Sequence, residues 1–286
     1  MIGFIEQIVL NGLMSGSTYV LMGLGFTLIF GIMRIVNFSH GELYMCGAFL
    51  VLVFYNGLHL NYFLSLGLAA LVTALIGVGV ERLLLRPLAG KELSAMIMTL
   101  AVAITFQSLA LIAFGPDEQT MSRPVSGVWR IDEAVIPLDR MFVAGCSVVI
   151  VLVFYCFLRF TRTGMAMQAV AQDPETASLM GVRPGFINSL GFAIASGLAA
   201  LAGGLLAPLY SAGPYIGELP MLKAFVIVVL GGLGSIPGAV IGGILLGLIE
   251  SVFATLGSST LALIASFAIV LAIVMFRPQG LLGKAP

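Results

Sequence analysis

Charge is what this sequence has least of. Thirteen basic and thirteen acidic residues make up 9% of its 286 positions, where a soluble domain carries roughly 25%. With 60% hydrophobic residues and a mean hydropathy of +1.13, water could not dissolve a surface made from it. That excludes a soluble domain and leaves one polytopic membrane domain over residues 1–286. The formal net charge is zero, so no basic patch is available to hold phosphates and nucleic acid is excluded as a partner. A phosphate-binding loop is missing too: Gly90-Lys91 is followed by Glu92, and Gly283-Lys284 by Ala285. No nucleotide site or other cofactor is therefore expected in this chain. Two histidines, His40 and His59, are too few for a catalytic set. The three cysteines, Cys46, Cys146 and Cys156, show neither metal-ligand spacing nor a disulfide framework. They read as small apolar packing residues. The N-terminus lacks the basic start of a cleaved signal peptide, so the first apolar stretch is expected to stay as a membrane helix.

What is present is a series of long apolar runs. A spanning helix needs about 20 mostly apolar residues. Six clear candidates cover Phe4–Phe30, Tyr62–Val80, Ser94–Phe114, Arg140–Leu158, Phe186–Tyr210 and Leu261–Phe276. Two further stretches are interrupted. Gly31–Tyr55 is broken by Arg34, Asn37, His40 and Glu42. Met221–Val252 is broken by Gly231-Gly-Leu-Gly-Ser-Ile-Pro-Gly238. The fold class is therefore all-α, a transmembrane bundle of about eight membrane segments, one or two of them broken or re-entrant.

Basic residues set the orientation. Arg82, Arg86 and Lys91, then Arg159, Arg162 and Arg183, then Arg277 and Lys284 fall in segments that alternation places on one side, the cytoplasm. The opposite segment, Gly115–Asp139, is net negative. One crossing for each interrupted stretch puts the C-terminal tail on the wrong side, so a re-entrant or half-helix passage is expected in one of them. Backbone that leaves a helix at membrane depth survives only where protein buries it or a wet cavity meets it. Gly12/Gly16, Gly238/Gly242 and Gly243/Gly247 have the small-xxx-small spacing of closely packed membrane helices.

Three constellations could carry function. In the first, Asn37, Ser39, His40 and Glu42 gather in an apolar region. Polar groups at membrane depth usually face a bundle interior or a cavity, so these four read as a solute path or gate, with a surface loop as the alternative. Glu42 is the only second ligand near His40, so no metal site is read there. In the second, the cytoplasmic loop 160–186 holds a helix start at Asp173-Pro174-Glu175 and a stop at Gly181. Such a short capped helix, with Leu179 and Met180 available, suits docking in a partner's groove. A plain connecting loop is the alternative. In the third, Gly234, Ser235 and Pro237 can free backbone groups to line a path, or form a packed turn. Glu6, Glu81 and Glu250 read as interfacial residues, with Trp129 and Tyr210 as interface anchors.

Asn11-Gly12 with Ser17-Thr18-Tyr19, Val36-Asn37-Phe38-Ser39-His40-Gly41-Glu42 with Tyr44-Met45, Glu81-Arg82, Arg86-Pro87, Asp173 through Gly181, Pro214-Tyr215-Ile216-Gly217 and Lys223-Ala224-Phe225 through Ala239 occur together in this order. In these stretches the chain resembles the LivH-type permeases of high-affinity branched-chain amino-acid ABC importers. The resemblance implies a type-II-like importer permease in the bacterial inner membrane. Its implied partners are a paralogous permease, two cytoplasmic ATPases that use ATP and Mg, and a periplasmic solute-binding protein. It also implies that Glu175-Thr-Ala177-Ser-Leu-Met-Gly181 resembles the EAA-x-x-x-G element that docks on the ATPase, with Thr176 where that pattern has alanine. On that basis Asp173, Pro174, Glu175, Ala177, Leu179 and Gly181 take the docking role.

The implied cargo is leucine, isoleucine and valine, although related permeases move urea, short amides and aromatic acids. A reading of another class, an ion-coupled secondary transporter, requires carboxylates beside unwound backbone. Glu42 is the one fair candidate. A purely structural or receptor role is disfavoured, because the glycine-rich breaks cost helix stability without an evident packing need.

Overall fold

Helix ends fall where the sequence supplies caps. The Asn61 side chain accepts the Phe63 N–H at 2.9 Å to open α3, Tyr62–Val80, and the Ser258 hydroxyl accepts the Leu261 N–H at 3.2 Å to open α11, Ser259–Phe276. The computed structural model describes residues 2–131, 134–277 and 279–283. In chain order the remaining helices are α1 Ile2–Met33, α2 His40–Leu52, α4 Glu92–Phe114, α5 Leu138–Phe160, α6 Arg162–Gln172, α7 Pro174–Leu179, α8 Pro184–Tyr210, α9 Glu218–Gly231 and α10 Ile236–Leu256. Single π turns extend α2 through Val53–Gly57 and α3 through Glu81–Leu85. Between α4 and α5 a small antiparallel ribbon pairs β1, Val128–Ile131, with β2, Ala134–Pro137, setting Trp129 opposite Ile136. The all-α reading omitted this ribbon. Its strands are four residues each, too short for alternation to stand out.

Among the described residues, seven helices are long and apolar enough to cross a bilayer: α1, α3 with its extension, α4, α5, α8, α10 and α11. All six uninterrupted runs are among them. Of the two interrupted stretches, Met221–Val252 supplies the expected half-helix passage. It does not cross once but folds back as a hairpin of α9 and α10, with Ile227 against Gly242 and Gly231 against Gly238. Fourteen residues give α9 a length of about 21 Å, short of the roughly 30 Å hydrocarbon core. Three passages, α9, α10 and α11, thus follow Tyr210 instead of the two counted from sequence. Alternation then returns Arg277 to the side of the basic loops, and the conflict over the tail disappears.

Contacts divide the chain into two compact units. One comprises residues 1–27, 123–151 and 222–286; the other comprises 28–122 and 152–221. In the first, α10 carries two glycine faces. Gly238 and Gly242 meet α9, whereas Gly243 and Gly247 meet α1 at Val20 and at the Gly12/Gly16 pair. A Cβ on Gly247 would lie 2.5 Å from the Gly16 backbone, so only glycine admits this approach. Lipid gives helices no hydrophobic drive to associate, and close backbone packing takes its place.

In the second unit α8 is the central helix, lined by Ala195, Ser196, Ala199, Ala200, Ala202, Gly203 and Gly204, all buried. Gly47 of α2 faces Ala200, Gly203 faces the Tyr44 backbone, and Gly77 of α3 faces Ser196. Small residues on three helices therefore bring α2 and α3 onto α8. Tyr62 locks the outer end of that contact, its hydroxyl donating to the Gly204 carbonyl at 3.0 Å.

Candidate functional site

The break between α1 and α2 is built from side chains. Arg34 adopts a left-handed φ of 54° and ends α1. Asn37 Oδ1 then accepts both the Ser39 N–H at 3.1 Å and the Ser39 hydroxyl at 2.7 Å. The Ser39 carbonyl accepts the N–H groups of Glu42 and Leu43, each at 3.1 Å, which starts α2. The Phe38 N–H reaches Thr99 Oγ of α4 at 3.1 Å. Asn37, Ser39, His40 and Glu42 are exposed by only 1%, 0%, 0% and 3%. The surface-loop alternative is thereby excluded: these groups are enclosed in protein.

Glu42 Oε1 accepts from Gln107 Nε2 at 2.9 Å, and the same amide lies 3.5 Å from Glu218 Oε1. Glu42 Oε2 and Asn37 Nδ2 are buried with no hydrogen-bond partner among the described residues. Beside them the starts of α2 and α9 touch through two glycines: a Cβ on Gly41 would strike the Gly217 carbonyl and lie 2.7 Å from Met221 Cβ. Two helix starts, two carboxylates and one amide thus converge within one unit. Chemically, this is a place where unused acceptor and donor capacity is held ready inside apolar surroundings.

The break between α9 and α10 is built from backbone. Gly232 and Gly234 have φ of 104° and 79°, values that favour glycine. The Ser235 N–H closes the turn on the Gly232 carbonyl at 3.0 Å, its hydroxyl caps α10 by accepting the Gly238 N–H at 3.2 Å, and Pro237 occupies the first turn. The segment after α11 seals it. The Leu281 N–H donates to the Leu230 carbonyl at 2.8 Å and the Leu282 N–H to the Gly231 carbonyl at 3.0 Å. These satisfy carbonyls that the end of α9 leaves open. Gly234, Ser235 and Pro237 therefore lie in a packed turn beside the C-terminal end of α11, not in an unwound span.

A third polar group joins residues far apart in sequence. Lys223 of α9 and Glu250 of α10 form an ion pair at 2.7 Å, with side chains 20% and 16% exposed. Lys223 Nζ donates to the Tyr19 hydroxyl of α1 at 2.6 Å and sits 4.5 Å from the centre of the Tyr19 ring; that hydroxyl donates to Glu250. The cluster ties three helices together inside their apolar lengths. Losing one partner of such a pair costs about 3–5 kcal/mol, because the other is left charged and buried.

The loop 160–186 contains α6 and α7. Thr161 caps α6 by accepting the Gly164 N–H at 3.0 Å, and Met167 and Val170 turn inward. Asp173 caps α7, Oδ1 accepting the N–H groups of Glu175 at 2.9 Å and Thr176 at 3.1 Å. The Thr176 hydroxyl donates to Asp173 Oδ2 at 2.5 Å. That hydroxyl first, then the Thr176 N–H, holds the Asp173 carboxyl below its ordinary value of 3.8. Gly181, at φ 84°, ends the helix: its N–H meets the Ser178 carbonyl at 3.0 Å and the Val182 N–H meets the Ala177 carbonyl at 3.1 Å. Ala177 is buried beneath, while Leu179 and Met180 are 86% and 82% exposed. Pro174 and Glu175 are exposed as well.

The profile of the family described as "Branched-chain amino acid transport system / permease component" matches residues 8–276. The chain belongs to that family. LivH of Salmonella typhimurium (strain LT2), described as a high-affinity branched-chain amino acid transport system permease protein, is 32% identical over 98% of this chain and 96% of its own. BraD of Pseudomonas aeruginosa, described in the same words, is 31% identical over the same shares. Among solved structures, PsaBC from Streptococcus pneumoniae in complex with Fab matches with a TM-score of 0.52 at 12% identity, covering 98% of this chain and 97% of that one. That likeness shows a shared fold.

In this permease, sequence reasoning missed the Lys223–Glu250–Tyr19 cluster and so gave Glu250 no partner. Glu81, at the end of α3, is 1% exposed and takes the Ser189 hydroxyl of α8 at 2.5 Å, a partner the sequence did not point to. The signal was available. A lone lysine and a lone glutamate, each deep in an apolar run, almost always pair. Gln107 was also passed over, since one amide in an apolar helix carries little signal. Trp129 and Tyr210 are half exposed or more, at 51% and 60%.

Proposed function

We propose that this permease is the translocation subunit of an ATP-driven importer of branched-chain amino acids in a bacterial inner membrane. It would work beside a paralogous permease, two ATPases that hydrolyse ATP with Mg, and a periplasmic solute-binding protein. The observation that carries the reading is α7. A six-residue helix capped at both ends, seated on buried Ala177 and presenting Leu179 and Met180 to the exterior, has no need of its exposed apolar side chains for its own fold. A partner groove supplies one. In this reading Asp173 and Gly181 fix the helix ends, Pro174 and Glu175 shape its first turn, and Leu179 is the contact to the ATPase. Asn37, Ser39, His40 and Glu42 form the gate, in which Asn37 Nδ2 and Glu42 Oε2 find partners when α2 and α9 shift. Gly234, Ser235 and Pro237 keep the α9–α10 turn closed, so that the hairpin moves as one piece along the path.

The cargo follows from the relatives and not from the geometry. Leucine uptake by the assembled transporter tests the whole reading. Glu175→Arg and Gly181→Asp are each expected to reduce uptake and transport-stimulated ATP hydrolysis to background, with the permease still present in the membrane. Normal uptake in both variants would remove α7 from the coupling path.

A further inference from the structure

A cleft of about 470 Å3 opens between the end of α3 and the start of α8, lined among others by Arg82, Arg86 and Arg183. All three arginines are exposed, and among the described residues none forms an ion pair. Among the described residues that line the cleft or bond to its walls, the one carboxylate is Glu81, buried behind Ser189. The Ser189 hydroxyl, which lines the cleft, donates to Glu81 and lies 3.5 Å from Arg82 Nε. Glu81 offsets one guanidinium, and two positive charges remain without an anion. The Arg86 guanidinium lies over Gly185, where a Cβ would come within 3.1 Å of it. Arg183 is the N-cap of α8 and makes no side-chain cap, so the positive end of a 27-residue helix adds to the same field.

We propose that this cleft binds the headgroup of an anionic phospholipid. The chain crosses a bilayer, and the cleft lies where two of its apolar helices end. The apolar run of α3 stops at Val80, before Arg82 and Arg86, and that of α8 resumes at Phe186, after Arg183. A phosphodiester lies at that level, and basic pockets among helix ends on the positive side attract one. Phe186, on the wall of the cleft, is 57% exposed, and Leu83 beside Arg82 is 76% exposed. They give the acyl chains an apolar surface to follow away from the charges. A bidentate guanidinium suits a phosphodiester better than a lysine would. The proposal does not depend on the cargo; Ser178 of α7 forms part of the cleft wall, so lipid retention and ATPase co-purification are read side by side.

The test is native mass spectrometry of the full chain released from nanodiscs containing phosphatidylglycerol and phosphatidylcholine in equal amounts. The wild-type protein is expected to retain phosphatidylglycerol preferentially. Arg82→Gln, Arg86→Gln and Arg183→Gln should each lower that retention about fivefold, and the triple variant should abolish it. Arg159→Gln, outside the cleft, should leave it unchanged. Replacing all three by lysine should keep most of the preference, and the single variants carry the test should the triple glutamine variant not fold. Equal retention of both lipids by the wild type, or undiminished phosphatidylglycerol on the single glutamine variants, would overturn the proposal. So would single variants that keep the lipid but lose a co-purifying ATPase; the cleft would then belong to an acidic surface of a protein partner.

Discussion

At the break between α1 and α2 the chain leaves the helix through polar side chains; at the break between α9 and α10 it does so through glycine backbone. The first is enclosed, with Asn37 and Glu42 keeping polar atoms in reserve. The second lies at the tip of a hairpin, with the last α9 carbonyls bonded by Leu281 and Leu282 and with Gly280 and Gly283 packed against it. One break can exchange partners and the other is sealed by close packing. Movement is therefore expected to begin at the polar break and to carry the α9–α10 turn along intact.

Gly232→Val attacks the sealed break hardest. The branched side chain meets a left-handed φ, and its Cβ would lie 2.7 Å from Gly283 Cα. A loss of about 4 kcal/mol is expected, read as a lower unfolding temperature in detergent; an unshifted value would mean the turn is looser than described. Lys223→Met comes next, at about 3 kcal/mol, and Lys223→Met with Glu250→Met together should recover most of it. If the double variant is as unstable as the single one, packing and not stranded charge is the cause.

Asn37→Ala removes two hydrogen bonds to Ser39 and should cost about 1–2 kcal/mol in the same measurement. Glu42→Gln keeps an acceptor for Gln107 and should change stability by less than about 1 kcal/mol, yet lower leucine uptake markedly. Unchanged uptake would separate the polar break from transport. The smallest effect is on α7. The Asp173 pKa is lower in the folded protein, so its contribution is present above the ordinary value of 3.8 and is lost as pH falls below it through the folded value. Limited proteolysis of the loop should accelerate only in that acid range, and Asp173→Asn should remove the pH dependence.

The six uninterrupted spans, the short capped helix and the buried character of Glu42 were all legible, because each is announced by neighbours in the chain: an apolar run, an Asp-Pro-Glu start, a cluster of polar residues. The Lys223–Glu250–Tyr19 cluster was legible only as two lone charges in apolar runs; the three-way contact with Tyr19 was not, since three helices must pack before its members are neighbours. Which of the two interrupted stretches would fold back was not legible either, for a related reason. A glycine-rich interruption gives the same local pattern whether the chain continues across or turns back, and the difference is made by Gly231 meeting Gly238 and by a segment some fifty residues later. Helix α6 was hidden by its weak apolarity, with only Gly164, Met167 and Val170 turned inward.

That late segment also sets a clock. Leu230 and Leu281, joined by a backbone hydrogen bond, are fifty-one residues apart. At about 5–20 residues per second, the ribosome has made the α9–α10 turn several seconds before it makes the residues that close it. Until then the open carbonyls of α9 have only water, lipid headgroups or a helper protein to turn to. A chain whose synthesis has reached only α11 therefore still lacks the two hydrogen bonds that close this turn.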